Sequence, residues 1–125
     1  MDDRQRLQLG TTTRRAILGD AHVDRATAAV TPLTAEFQDL ITRYVWGEIW
    51  TRPGLEPRAR RILVIGTLVA LGRWEEFRLH AGAALAAGLT PEELKEIVLQ
   101  QAVYCGVPAA NTAFAQLTGL LDPKP

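Results

Sequence analysis

The chain has 125 residues, 47% hydrophobic and 22% charged, an ordinary balance for one soluble globular domain spanning residues 1–125. Basic and acidic residues number 14 each, so no basic field invites nucleic acid and no acidic tail invites a basic partner. The longest apolar run, residues 62–71, falls well short of the roughly 20 residues that cross a bilayer, and a lone Cys105 excludes an intrachain disulfide, a CxxC redox pair and a cysteine-rich zinc site. The opening Met1-Asp2-Asp3-Arg4-Gln5-Arg6 is charged and lacks the apolar segment of a secretory signal, so a cytoplasmic protein is the expectation.

Residues 5–18 have the spacing of an amphipathic helix, with Gly19 as its stop. A polar connection through His22 and Asp24 leads to Thr34, expected as an N-cap, after which Phe37, Leu40, Ile41, Tyr44 and Val45 recur at helical spacing. Trp46-Gly47-Glu48-Ile49-Trp50 either extends that helix or breaks it near Gly47. Thr51-Arg52-Pro53-Gly54 is turn chemistry. Pro57 suits the first position of a helix in which Arg58, Arg60 and Arg61 lead into the apolar run ending at Gly72. A run apolar almost all round predicts a helix buried on most sides. Residues 74–87 form a further helix stopped by Gly88, and Thr90-Pro91-Glu92-Glu93 is a capping box that opens the next one. Gly106-Val107-Pro108 breaks it, and residues 109–121 supply the last. The expectation is an all-α fold of about six helices. A chain this short has little of its own to cover so apolar a helix and the aromatic cluster Tyr44, Trp46 and Trp50. Packing against identical subunits answers that need; a compact monomer is the alternative.

Glu76 and His80 stand four apart on one helix, so they share a face, and Arg73 lies seven before His80 near the same face. A carboxylate beside an imidazole can hold its tautomer and raise its pKa, which suits proton transfer near neutral pH. The plainer account is a surface ion pair, which contributes little. Small residues at Ala81, Gly82, Ala83 and Ala84 leave room beside that face for a ligand or a close helix. His22, between Asp20 and Asp24, reads as a solvated loop histidine, and Cys105 at a helix end as an inert thiol. Glu48, flanked by Trp46 and Trp50, is either a carboxylate held among aromatics or a solvated one. Arg58, Arg60 and Arg61 oppose the helix dipole in a first turn, so at least one needs a partner or a function. Trp74 reads as packing, and Asn111 as a buried amide paired with backbone. Two distant histidines make no zinc site, and no glycine-rich loop cradles phosphate.

Four stretches carry a resemblance through nearly the whole chain. They are residues 18–26 (Leu-Gly-Asp-Ala-His-Val-Asp-Arg-Ala), residues 37–55 around Trp46-Gly47-Glu48-Ile49-Trp50-Thr51-Arg52-Pro53-Gly54, residues 70–80 ending in His80, and residues 100–114 around Tyr104-Cys105-Gly106-Val107-Pro108-Ala109-Ala110-Asn111. In these the chain resembles the carboxymuconolactone decarboxylase family, in its 4-carboxymuconolactone decarboxylase branch. The resemblance implies an alkylhydroperoxidase-like helical subunit in a hexamer of identical chains. It also implies a small lactone dicarboxylate as substrate, no metal or organic cofactor, and a place in protocatechuate breakdown by way of β-ketoadipate. Peroxidase members of the wider superfamily carry a CxxC pair before a histidine corresponding to His80; Arg73 and Glu76 stand there here, so thiol chemistry is absent. Those relatives also carry a glutamate where this chain has Arg61, which leaves that residue to bind a substrate carboxylate or to face solvent.

The resemblance thus implies His80 as proton donor or enolate-oxygen donor, oriented by Glu76. Arg73 and either Arg58 or Arg61 would pair with the substrate's acetate arm. Glu48, Trp46, Tyr104 and Cys105 would line the pocket, and His22 would complete it from this or a neighbouring subunit. Rival readings are a hydroperoxide reductase, a decarboxylase, isomerase or cyclase on a related lactone, and a ligand-binding homologue without activity.

Overall fold

Asp2 and Gln5 open the first helix by reciprocal capping: the Gln5 amide donates to the Asp2 carboxylate at 2.8 Å, and the Asp2 amide to the Gln5 side chain at 2.9 Å. The computed structural model describes residues 1–122, and its helices form two compact units, residues 1–56 and residue 57 onward. In the first unit α1 (Asp3–Leu18) ends at Gly19, whose φ of 90° only glycine adopts readily, and α2 (Asp20–Ala28) begins at once. The polar connection expected around His22 is therefore a helix. Arg15 binds Asp20 at 3.0 Å and Asp24 at 2.8 Å, so the charges that made the segment look like a loop hold two helix ends together.

Thr34 precedes α3 (Ala35–Ile41), but its hydroxyl does not cap that helix as expected. It accepts instead from the Thr31 amide at 3.0 Å, within the preceding turn. The chain then runs on without a break into a π-helix, Thr42–Ile49, closed where the Trp50 amide reaches the Val45 carbonyl at 3.0 Å. Gly47 thus neither breaks the helix nor is incidental to it. It lies where α1 crosses the π-helix: a methyl group on Gly47 would collide with the Arg6 carbonyl, and one on Gly10 with the Thr42 carbonyl. Two glycines let backbone touch backbone, and no other residue fits either position.

In the second unit α4 (Pro57–Leu71), α5 (Trp74–Ala86), α6 (Pro91–Tyr104) and α7 (Val107–Leu121) surround one core. Ile65 and Val69 of α4, Phe77, Ala81 and Ala84 of α5, Leu94 and Val98 of α6 and Ala113 of α7 are fully sealed from solvent. The capping box foreseen at Thr90 is present: the Glu93 amide donates to the Thr90 hydroxyl at 3.1 Å, and the Thr90 amide to the Glu93 carboxylate at 3.0 Å. The other oxygen of Glu93 holds Arg58 in the first turn of α4. One of the arginines placed against the helix dipole thereby has its counter-charge. Gly66 lets α6 approach, and its carbonyl accepts from Gln101 Nε2 at 2.9 Å.

The α4 helix is not buried on most sides, as its composition suggested. Leu63 and Leu71 are 62% and 67% exposed, and burial is confined to the stripe of Arg61, Ile65, Gly66 and Val69. Asn111 is exposed rather than buried, because α7 turns Ala110, Ala113 and Leu117 inward. The all-α expectation holds, with no strand among the described residues, and α2 is the helix the sequence did not announce. Among the described residues, no helix is long and apolar enough to cross a membrane.

Gly47→Ala is expected to lower the unfolding free energy by ~2 kcal/mol or more, since rigid backbone cannot yield to the added methyl. Gly54→Ala, with nothing within 4 Å of the new carbon, is expected to change it by less than ~0.5 kcal/mol. Urea melts of the two variants beside the parent check the contrast.

Candidate active site

Three of the residues singled out by sequence come together on α5. Arg73 stands at the N-cap, and its Nη2 donates to Glu76 Oε1 at 2.6 Å. Glu76 lies in the first turn with Glu75, where the helix dipole favours negative charge. The Arg73 hydrogen bond holds the Glu76 carboxyl below the usual glutamate range, with smaller contributions from a backbone amide and from the charge of His80. His80 follows one turn later, half-buried, with Nδ1 shut off from solvent. Because Phe77, Ala81 and Ala84 all face the core, His80 is turned toward the core flank of the helix and Arg73 is left outside. The result is a row of cation, carboxylate and imidazole running from solvent inward. Such a row can keep the carboxylate ionised at neutral pH and carry a proton on the imidazole.

Ala81 and Ala84 are fully buried, and a methyl group on Gly82 would meet Leu120 of α7 at 3.7 Å. The small residues of α5 therefore admit a neighbouring helix.

The arginines of α4 differ sharply. Arg61 is only 6% exposed, on the same face as Ile65 and Val69, and burial lowers its pKa. It does not face solvent. Arg58 is exposed and bound to Glu93. It lines a separate groove of about 660 Å³ between α4 and α6, with Leu63 and Thr67 on one wall and Glu96, Ile97 and Gln101 on the other. Arg73, Glu76 and His80 are not among the groove's lining residues. Tyr104, at the end of α6, is 80% exposed, and the half-buried Cys105 caps that helix with its amide on the Gln101 carbonyl at 2.7 Å. The groove was missed from sequence, although Glu92, Glu96 and Gln100 recur every fourth residue along one face of α6.

In the first unit, Trp46 is buried and stacks on Trp50 with ring centroids 5.3 Å apart. Glu48 is neither isolated among aromatics nor simply solvated: it pairs with Arg6 at 3.4 Å and Arg52 at 4.0 Å. Both Trp46 and Glu48 ride on the π-helix, a distortion that concentrates at functional sites. His22 is half-buried on α2; burial first, then the charges of Arg14 and Arg25, push its pKa down. Among the described residues, no three His, Cys, Asp or Glu side chains group to hold a metal ion.

Residues 35–119, more than half of the chain, match the carboxymuconolactone decarboxylase family. The chain belongs to that family. It is 42% identical to the 4-carboxymuconolactone decarboxylase of Acinetobacter baylyi, over 90% of this chain and 84% of the relative. It is 39% identical to the nitrosuccinic acid decarboxylase of Metarhizium robertsii, over 83% of this chain and 73% of that one. A 4-carboxymuconolactone decarboxylase sequence from Pseudomonas putida is 48% identical along its whole length, which covers 38% of this chain.

The folded Glu76 carboxyl binds its proton less readily than the unfolded one, so its ion pair supports the fold above the unfolded carboxylate range. That support fades as the pH falls through the lowered folded value. In a carboxyl-detected NMR titration, Glu76 is expected to titrate below an ordinary glutamate and to move upward in Arg73→Gln. An unmoved midpoint would show that Arg73 does not set its ionisation.

Proposed function

We propose that this protein is a decarboxylase that removes CO2 from 4-carboxymuconolactone to give 3-oxoadipate enol-lactone. The observation that carries this reading is the 42% identity to the Acinetobacter baylyi enzyme across 90% of the chain. The substrate is a butenolide with a ring carboxylate and an acetate arm. As CO2 leaves, the electrons of the breaking C–C bond flow through the ring double bond into the lactone carbonyl, giving a dienolate. The substrate is its own electron sink, so the protein has three tasks: to hold the acetate arm, to stabilise the enolate oxygen, and to protonate the ring carbon.

His80 is assigned the proton-carrying role, at the ring carbon or as donor to the enolate oxygen. Its half-buried ring beside an ionised carboxylate supports that assignment. Glu76 steadies the imidazolium, and Arg73 keeps Glu76 charged. Arg61 is assigned the acetate arm: a guanidinium matches a carboxylate with two parallel hydrogen bonds, and in a buried setting that match is least weakened by water. Arg58, held by Glu93, is left out of the chemistry. The family resemblance adds a hexamer of identical chains, a cytoplasmic location and a step in protocatechuate breakdown.

A second reading is favoured by the 39% identity to a nitrosuccinic acid decarboxylase. Nitrosuccinate is likewise a dicarboxylate whose departing carboxylate neighbours an electron sink, there the nitro group. The same imidazole and guanidinium would serve it.

With both substrates supplied, CO2 release from 4-carboxymuconolactone generated in situ is expected to be the faster. The reverse order assigns the chain to the second reading, and release from neither removes both. His80→Ala is expected to cut kcat by about 100-fold or more, and Arg61→Met to act mainly on KM. A folded His80→Ala protein with near-parental kcat takes the histidine out of the mechanism.

A further inference from the structure

The charges of α2 are sorted onto two faces. Asp20 and Asp24, four apart, share one of them, and Arg15 holds both, at 3.0 Å and 2.8 Å. His22 and Arg25, three apart, share the opposite one. The charges that act on His22 are those of Arg14 on α1 and of Arg25, both positive and both opposed to a proton on its ring. The aspartates of its own helix do not offset them, since both are turned to Arg15.

Arg14 is the centre of this cluster. It is half-buried; its Nη1 donates to Gln38 Oε1 of α3 at 3.2 Å, and its Nε is shut off from solvent with no acceptor among the described residues. Burial lowers its pKa, as it does for a guanidinium that has lost water and gained no counter-ion. Neither Arg14 nor Arg25 makes an ion pair with a carboxylate among the described residues. A cation withdrawn from water ordinarily has a counter-charge beside it. Here an anion would meet the Nη2 group of Arg14, the ring of His22 and the guanidinium of Arg25, while Gln38 keeps Arg14 in place. Two fixed positive charges and an imidazole able to add a third match a ligand with two negative charges. Guanidinium groups suit planar carboxylates, which they meet with paired hydrogen bonds.

We propose that Arg14, His22 and Arg25 form a binding site for a small dicarboxylate, with Gln38 as the residue that positions Arg14. The site lies wholly within residues 1–56 and shares no residue with the row on α5. It goes beyond the decarboxylase reading and does not depend on it, because binding is measured without turnover.

Succinate titrated into the 125-residue chain tests it, followed by calorimetry and by the His22 ring signal in NMR, which is assigned by its loss in His22→Gln. Succinate is expected to bind and to raise the His22 midpoint, since a bound dianion favours the imidazolium. Arg14→Gln and Arg25→Gln are each expected to weaken binding by about tenfold, the worth of a hydrogen bond to a charged group. Arg4→Gln removes an exposed arginine roughly 15 Å away along α1 and is expected to change the affinity by less than about twofold. Acetate and inorganic phosphate are both expected to bind more weakly than succinate. Absence of succinate binding overturns the proposal, as does a His22 midpoint that stays in place. So does an affinity that Arg25→Gln lowers no more than Arg4→Gln. Phosphate binding as tight as that of succinate overturns the assignment to a carboxylate. Because Arg25 is exposed, its variant remains decisive even if Arg14→Gln fails to fold by circular dichroism.

Discussion

Phe77, Ala81 and Ala84 are sealed in the core, and burying them fixes how α5 is rotated about its own axis. The row of Arg73, Glu76 and His80 follows from that setting. With those three turned inward, Arg73 is left in solvent, Glu76 is half-covered and His80 carries its Nδ1 out of water. A rotation by one residue, about 100° on a helix of 3.6 residues per turn, would send the imidazole elsewhere and dissolve the row. Phe77 does most to prevent it, packed edge-on against Trp74 with ring centroids 5.6 Å apart. Emptying such a position commonly costs about 3–5 kcal/mol, far more than an exposed ion pair supplies. The Arg73–Glu76 bridge therefore contributes hardly at all to the fold.

Local signals were the legible ones. Glycines at 19, 72, 88 and 106 and the Thr90–Glu93 box mark helix ends through the chemistry of single residues, and each does so in the structure. The Glu76–His80 pairing was legible for the same reason, since four residues along a helix is a fixed geometry. What escaped depends on neighbours distant in sequence. Arg61 reads like Arg58 or Arg60 until the core packs around it. Gly47 reads as either a continuation of the helix or a break in it until α1 is laid across it with Gly10 opposite. His22 looked like a loop residue because its flanking aspartates are polar, and only their capture by Arg15 makes that segment helical.

The family assignment and the physical reading support each other at different points. Similarity over most of the chain identifies the kind of reaction. The structure adds which of several cations is buried, which carboxylate is kept ionised, and by what. Those distinctions are physical properties of this chain's own side chains. A buried guanidinium attracts an anion more strongly than a solvated one, whose attraction is weakened by water.

Glu93 caps the start of α6 with one oxygen and holds Arg58, at the start of α4, with the other. Two helices that begin 34 residues apart in the chain thus share a single fastening. Loss of the Glu93 carboxylate would remove the cap of one helix and the counter-charge of the other together. The mouth of the groove between these helices is stiffened by one side chain, and it is most exposed to change wherever that carboxylate is protonated or drawn away.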